Sequence, residues 1–348
     1  MRLLGVILLS SVSLSAQVTI YSDLGEAGDR VALGLLEARL QGAPQVEIRP
    51  ERTRIGSDPG LLLGVDVHQL QRLSEQGDLI PTELSDLEPP FRGPAGRYAV
   101  TLLSPYVIAF GSEVLDVPRS WDDLLEADYQ DRLIVGTPAG MPDLWDTWWG
   151  RAIRRADGDR RAVAWLTTLD ARVGSYVASG EAVMQALLDR ENAVGVLPRH
   201  LLQEANPGHV LLAGEVAVAG LGVAMLSTAG DPEAGAVHAV LVSAGFNRDL
   251  AAAMGLVATP RAEEDLAERS AADQEVLGRL QPWLLDSDAR SEWQKIWETD
   301  IRGRGRNLEN LSETLDLILG VALIGFLVFV YSRIRKSEPR RARTTTTD

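Results

Sequence analysis

No cysteine occurs among the 348 residues, which excludes a disulfide framework, a thiolate metal site and a lipid anchor attached through cysteine. Histidine is scarce as well. The four present, His68, His200, His209 and His238, have no zinc-like spacing. Basic residues are outnumbered 34 to 49, and the resulting charge of −15 argues against a nucleic-acid-binding face. The chain also lacks a nucleophile elbow, a phosphate-loop lysine motif and a dinucleotide fingerprint. Its acidic residues form no pair that sequence alone assigns as acid and base. Nothing here supports an enzyme, and no cofactor or metal is expected.

Long apolar runs are confined to the two ends. Arg2 precedes Leu3 to Leu9, and Ser13, Ser15 and Ala16 offer a cleavage site near Gln17, the pattern of an export signal over 1–16. The alternative is a first buried strand or helix; the run is too short for a bilayer, which needs about 20 apolar residues. Leu315 to Tyr331 carries one charge, Asp316, and no polar face. Arg333, Arg335, Lys336, Arg340, Arg341 and Arg343 follow at once. A membrane helix over 313–332 is expected, with a basic cytoplasmic tail over 333–348 and the bulk of the chain outside. Setting aside Arg2 and the charges of that tail leaves 27 basic and 47 acidic residues. A charge of about −20 on the outward part keeps it soluble and repels anionic headgroups.

With 45% hydrophobic residues the remainder can bury a sizeable core in one or two domains. Strands and helices alternate along it, which favours a parallel sheet covered on both faces. Val18 to Ser22 reads as a strand entering the polar loop 23–26, with a helix over 27–40. Val46 to Ile48 and Leu61 to Val67 are further strands, the latter followed by a helix over 68–75. The run Tyr98 to Phe110 suits a buried strand. Ser120, with Asp123 three residues on, predicts a capped helix carrying Trp121, Leu124 and Leu125. Arg132 to Val135 is then a strand ending in the loop Gly136-Thr137-Pro138. Together these predict one βαβ unit with a ligand loop at its carboxyl end.

Further on, Trp145, Trp148 and Trp149 share one helix face. They form either an aromatic wall or core, and core is the expectation. Asp157, Asp159 and Asp170 fit no calcium loop. Val177 to Val183 opens a helix through Leu188, where Ser179 either caps the helix or joins its first amides in holding an anion. From Arg261 to Asn310 the chain is charged and helical, with Trp283, Trp293 and Trp297 as anchors.

The order Tyr106-Val107-Ile108-Ala109-Phe110, then Pro118-Arg119-Ser120-Trp121-Asp122-Asp123-Leu124-Leu125, then Tyr129-Gln130-Asp131-Arg132-Leu133 resembles the middle of the solute-binding proteins of ABC importers. The similarity is to the branch that includes the ferric-ion-binding receptors. Gly64-Val65-Asp66 with Gly77-Asp78-Leu79-Ile80, Asn192 to His200 and Val218 to Met225 extend it, as a scattered pattern over roughly Gln17 to Pro260.

The resemblance implies an α/β, two-lobed periplasmic-binding-protein-like fold of type 2. Residues 17–105 and 222–260 would form the first lobe and 106–221 the second, with hinge strands near Tyr106 and Val223. Residues 261–312 would form a helical C-terminal extension. It implies a small-molecule or ion ligand in the inter-lobe cleft, and an ABC permease as partner. Ser22, Asp23, Glu26, Thr137, Ser179, Gly180, Arg199 and His200 are its expected lining. Arg199 either pairs an anionic group through its planar fork or forms a surface salt bridge. His200 is a ligand contact, a base or a structural loop histidine.

Two departures qualify the likeness. His200 and Leu201 stand where the ferric receptors carry adjacent tyrosines, and Gly25 stands where they often place histidine or glutamate, so ferric iron is not the expected ligand. Arg49 to Gly60 is short where the family has a glycine-rich ligand loop and a helix. A second reading stays open on these grounds: a degenerate binding domain serving as a non-transport sensor or interaction module.

Overall fold

The computed structural model describes residues 17–40, 45–51, 59–84, 86–155, 159–202, 208–211, 217–227, 229, 232–261, 269–279 and 287–303, with positions 319, 323, 324, 326 and 327. Strands β1 (Gln17–Ser22), β2 (Gln45–Pro50) and β3 (Leu61–Asp66) run parallel in the order β2-β1-β3. Helix α1 (Gly25–Arg39) joins the first two. Helix α2 (Val67–Gln76) follows β3 directly. Asp66 starts it by accepting the His68 amide at 2.8 Å, and Gly77 ends it in the left-handed conformation, φ 82°. Val67, Leu70 and Leu73 bury one face of α2, leaving Gln71, Arg72 and Glu75 on the other.

Strand β4 (Tyr98–Phe110) ties the molecule together. Twelve of its 13 residues are buried, as a strand covered on both faces requires, and this is why its sequence is apolar apart from Thr101 and Ser104. Its first part pairs antiparallel with β9 (Val218–Met225), from Tyr98↔Ala224 to Pro105↔Val218. Its second part pairs antiparallel with β7 (Val194–Pro198), from Tyr106↔Pro198 to Phe110↔Val194. Prolines cannot donate to a ladder, and Pro105 and Pro198 sit where β4 exchanges one partner for the other. The full order is β2-β1-β3-β9-β4-β7-β5-β6, with β5 (Leu133–Gly136) between β7 and β6 (Val173–Val177) and parallel to both. Strands β8 (Gly208–Leu211) and β10 (Val257–Ala258) also pair with β4.

The result is a two-lobed α/β fold with a core in each lobe. Ile20, Leu36, Leu61, Val223 and Phe246 centre the first, beneath α1, α6 (Pro232–Leu241) and α7 (Ala244–Met254). The second is built on tryptophan beneath α3 (Pro142–Arg155), α4 (Asp159–Arg172) and α5 (Gly180–Leu188). Trp145, Trp148 and Trp149 are buried there, so their shared face is core. After α8 (Ala271–Arg279), α9 (Ser287–Ile296) and the π-helical turn Trp297–Ile301 bring two more rings into the same cluster. Trp293 stacks on Trp145 at 6.3 Å, and Trp297 meets Trp145 edge-on at 5.5 Å. Such pairs contribute about 0.5–1.5 kcal/mol each beyond area burial. The segment ends with the Gly303 amide donating to Asp170 at 2.7 Å.

Two sequence expectations are corrected. The helix predicted from Ser120 is a pair of short 3-10 turns, Asp123–Leu125 and Ala127–Tyr129. The cap itself forms: Ser120 Oγ donates to Asp123 Oδ1 at 2.6 Å, and Asp123 Oδ2 accepts from the amides of Arg119 and Ser120. A cap marks a start and not a length. Burial of Trp121 and Leu124, with β5 beginning at Leu133, leaves no room for an α-helix. The predicted βαβ unit is also absent, because β7 inserts between β4 and β5 and β4 runs antiparallel to it.

The expected export signal, most of the expected span and its basic tail, most of the short segment 49–60, Trp283 and Asp157 lie outside the described residues. Leu319, Leu323, Ile324, Phe326 and Leu327 are helical and 57–66% exposed. Among the described residues no helix is long and apolar enough to cross a membrane.

Candidate functional site

A cleft of about 510 Å³ opens where the strand ends of the two lobes face each other. On the first-lobe side α2 presents His68, Gln71, Arg72 and Glu75, a one-face set at helical spacing, with Asp66 at its start. Facing them from the second lobe are the loop 138–142, the start of α5 and the end of β7. Arg290 and Gln294, one turn apart on α9, complete the wall.

Polar contacts at the floor join the lobes. His68 Nε2, on α2, lies 2.5 Å from Asp143 Oδ1, in the first turn of α3, and both side chains are more than nine-tenths buried. Burial works against the imidazolium, but the Asp143 charge, its hydrogen bond and the nearby Asp66 together outweigh it and raise the His68 pKa above its ordinary value. Asp66 is pushed up to about 6 by burial first and the Asp143 charge second. One turn further along α3, the fully buried Asp146 accepts from Arg290 through Nε at 3.1 Å and Nη2 at 2.7 Å, and from Trp293 Nε1 at 3.0 Å. Burial raises the Asp146 pKa, while Arg290 works against that rise.

Of the residues expected from sequence, Asp23, Ser179, Gly180 and His200 line the cleft, as does Leu201. Ser179 caps α5, accepting from the Ala182 amide, and donates to Glu181 at 2.6 Å. With a carboxylate already at that helix start, an anion there would meet like charge. His200 rests on the buried Ser104 hydroxyl, 2.8 Å from Nδ1. That hydroxyl also accepts the His200 amide at 3.2 Å, so Ser104 holds both the backbone and the ring of His200. Burial pushes this histidine down to about 4, and it is neutral.

The other four stand elsewhere. Ser22 is buried, with its Oγ accepting from the Leu24 amide. Glu26 points to solvent and pairs with Arg30. Thr137 shapes the loop by accepting the Gly140 amide, and Arg199 opens a 3-10 turn beside the cleft without lining it. Sequence reasoning missed Asp66, His68, Tyr106, Asp143 and Arg290. Asp143 and Asp146 did carry a signal, since acidic residues on the tryptophan face of α3 demand buried partners.

Tyrosine chemistry separates this cleft from a phenolate metal site. Tyr106 alone among the described tyrosines lines it. Its hydroxyl accepts the Leu144 amide, and burial holds its pKa well above the ordinary phenol value. Tyr176 is engaged with Asp170 at 2.8 Å. Among the described residues no three His, Asp or Glu side chains converge as a metal site.

The sequence profile of the bacterial extracellular solute-binding proteins matches residues 57–275. The chain belongs to that family. The solute-binding fold is repeated in solved structures of low sequence identity. Iron-bound HitA from Pseudomonas aeruginosa is 21% identical, with a TM-score of 0.59, covering 80% of this chain and 98% of its own. AfuA from Actinobacillus pleuropneumoniae, with fructose-6-phosphate bound, is 14% identical with a TM-score of 0.59, covering 82% and 99%. PotD, a spermidine/putrescine transporter substrate-binding protein from Streptococcus pneumoniae, is 14% identical with a TM-score of 0.59, covering 84% and 100%. No curated protein matches in sequence. The family members and these neighbours are binding proteins, not enzymes. A solute-binding protein of this family extends beyond the matched region here, because α9 supplies part of the cleft wall.

Proposed function

We propose that this extracellular solute-binding protein captures a small solute bearing positive charge between its lobes and presents it to an ABC permease. The observation that carries the reading is the charge of the cleft. His68 is matched by Asp143 and Arg290 by Asp146, and His200 is neutral. Beyond these, Asp66, Glu75 and Glu181 line the cleft against Arg72. An acid excess of this kind favours a cation and disfavours a sugar phosphate. Ferric iron is disfavoured because Tyr106 is the single described tyrosine lining the cleft, where the related ferric receptors use adjacent tyrosines.

Asp23, Ser179, Gly180 and His200 are proposed as solute contacts, joined by Gln71, Arg72, Glu75 and Gln294. The first lobe is proposed to comprise 17–105 and 222–260, and the second 106–221. Residues 1–16 are proposed as the export signal and 313–332 as a membrane tether. Support for the tether comes from the apolar run Leu315 to Tyr331, the basic cluster after it and the exposed helical positions Leu319, Leu323, Ile324, Phe326 and Leu327.

Thermal unfolding with spermidine, putrescine, fructose 6-phosphate and ferric citrate tests the reading. An amine at about 100 times its Kd should add ~2.7 kcal/mol of stability. The sugar phosphate should leave the transition unmoved, and ferric citrate should produce neither a shift nor a visible phenolate-to-iron band. Stabilisation by ferric citrate with such a band, or by the phosphate alone, would refute the charge argument.

A further inference from the structure

The cleft floor holds more charge chemistry than solute capture requires. His68 belongs to the first lobe, at the start of α2, and Asp143 to the second, in the first turn of α3. Their 2.5 Å contact spans the lobes at the base of the opening that a solute would enter. Both groups carry an unused, buried polar atom, His68 Nδ1 and Asp143 Oδ2. The pair is thus a single-point contact rather than a saturated structural network.

We propose that His68 and Asp143 form a proton-operated latch that closes the two lobes on each other in mildly acidic surroundings and releases them as the pH rises. The inference rests on reading the cleft as one that opens and closes, as the two-lobed fold permits.

The groups facing His68 decide the direction. Asp66 lies at the foot of its own helix, Asp143 and Asp146 on α3, Arg290 on α9 and Tyr106 on β4. Asp143 and Asp66 favour the imidazolium and Arg290 opposes it, with the balance in favour. In an open protein His68 would lose Asp143 and regain water, returning toward the ordinary value of about 6.5. The closed form therefore holds the His68 proton more tightly. Its advantage is fully present below the open-state value and is lost as pH rises through the closed-state value. Asp66 acts with the same sign. It stands at about 6 here, through burial first and the Asp143 charge second, and opening would remove the Asp143 part of that rise, so the closed form takes up this proton too as the pH falls through that region. Both groups bind protons on closing, and closure is favoured by acid.

The absence of cysteine makes the test direct. Gln76 and Lys295 are exposed, one on α2 of the first lobe and the other on α9, which is bound to the second lobe through Asp146. Spin labels on Gln76→Cys and Lys295→Cys in the full chain, without added solute, report the lobe separation by pulsed electron resonance. Between about pH 8.5 and 5.5 the ratio of short to long distances should rise on the order of tenfold. His68→Gln should remove most of that response, and His68→Gln with Asp66→Asn should remove all of it. Asparagine still caps α2, and circular dichroism verifies that each variant is folded. A distribution that ignores pH, or one that responds equally in the folded double variant, overturns the latch. Because no solute is present, failure here is separate from failure of the amine screen.

Discussion

Asp146→Ala should lower the stability of the second lobe by about 3–5 kcal/mol, the range for removing one member of a buried ion pair. Asp146 has no exposed side-chain surface and serves three donors, two on Arg290 and one on Trp293. Its removal takes the carboxylate from the Arg290 guanidinium, itself only 13% exposed, and leaves the Trp293 indole N–H unpaired within the core. At this size the loss corresponds to a fall in Tm on the order of 10 °C. Asp146→Asn keeps an acceptor for Trp293 and should fall less. Glu26→Ala breaks a solvent-exposed pair with Arg30 and should not move the transition measurably. Calorimetry or circular dichroism across this series checks the ordering, and an Asp146→Ala transition equal to wild type would show that α9 is not held through this carboxylate.

The second large effect is expected at Gly140. A Cβ placed there would lie 1.8 Å from the Ala178 carbonyl oxygen and 2.7 Å from its carbon, both backbone atoms that cannot swing aside. Gly140 belongs to the loop after β5, and Ala178 precedes the Ser179 cap of α5. Both segments border the cleft, so the two must separate to admit a methyl group. Gly140→Ala should cost about 1–3 kcal/mol as an overpacking change. It should also weaken binding of any stabilising amine by at least about tenfold, since one ångström of misplacement is large at a preorganised site. Gly34→Ala is the control: nothing lies within 4 Å of its Cβ, and the change should leave binding unaltered while raising stability slightly. Unchanged affinity in Gly140→Ala would exclude this loop from the binding wall.

How far the chain could be read without its structure follows from where each signal resides. Strand β4 was legible because burial on both faces makes its run apolar apart from Thr101 and Ser104. The two-lobed architecture was legible through family resemblance. The order of strands was not. Apolar patterning marks that a strand exists, but β7 begins at Val194, about 58 residues after β5 ends at Gly136, and inserts between β5 and its predicted partner β4. Asp23, Ser179, Gly180 and His200, expected because loops at strand ends converge in such folds, do line the cleft. His68 looked like an ordinary first-turn residue, since its partner Asp143 lies 75 positions away on the other lobe. Arg290 is 144 positions from Asp146 and beyond the stretch matched to the family. Pairings of that range are made by the closed tertiary arrangement, and no local pattern records them.

Hydrogen–deuterium exchange, read with and without the amine that most stabilises the full chain, tests the central claim most directly. Binding between the lobes predicts simultaneous protection at 64–76, 136–142, 179–182, 198–202 and 290–294. These segments come from both lobes and from the C-terminal helix, and all border the cleft. The outer helices α1, α6 and α7 should exchange as before. Protection confined to one lobe, or to those outer helices, would contradict an inter-lobe site.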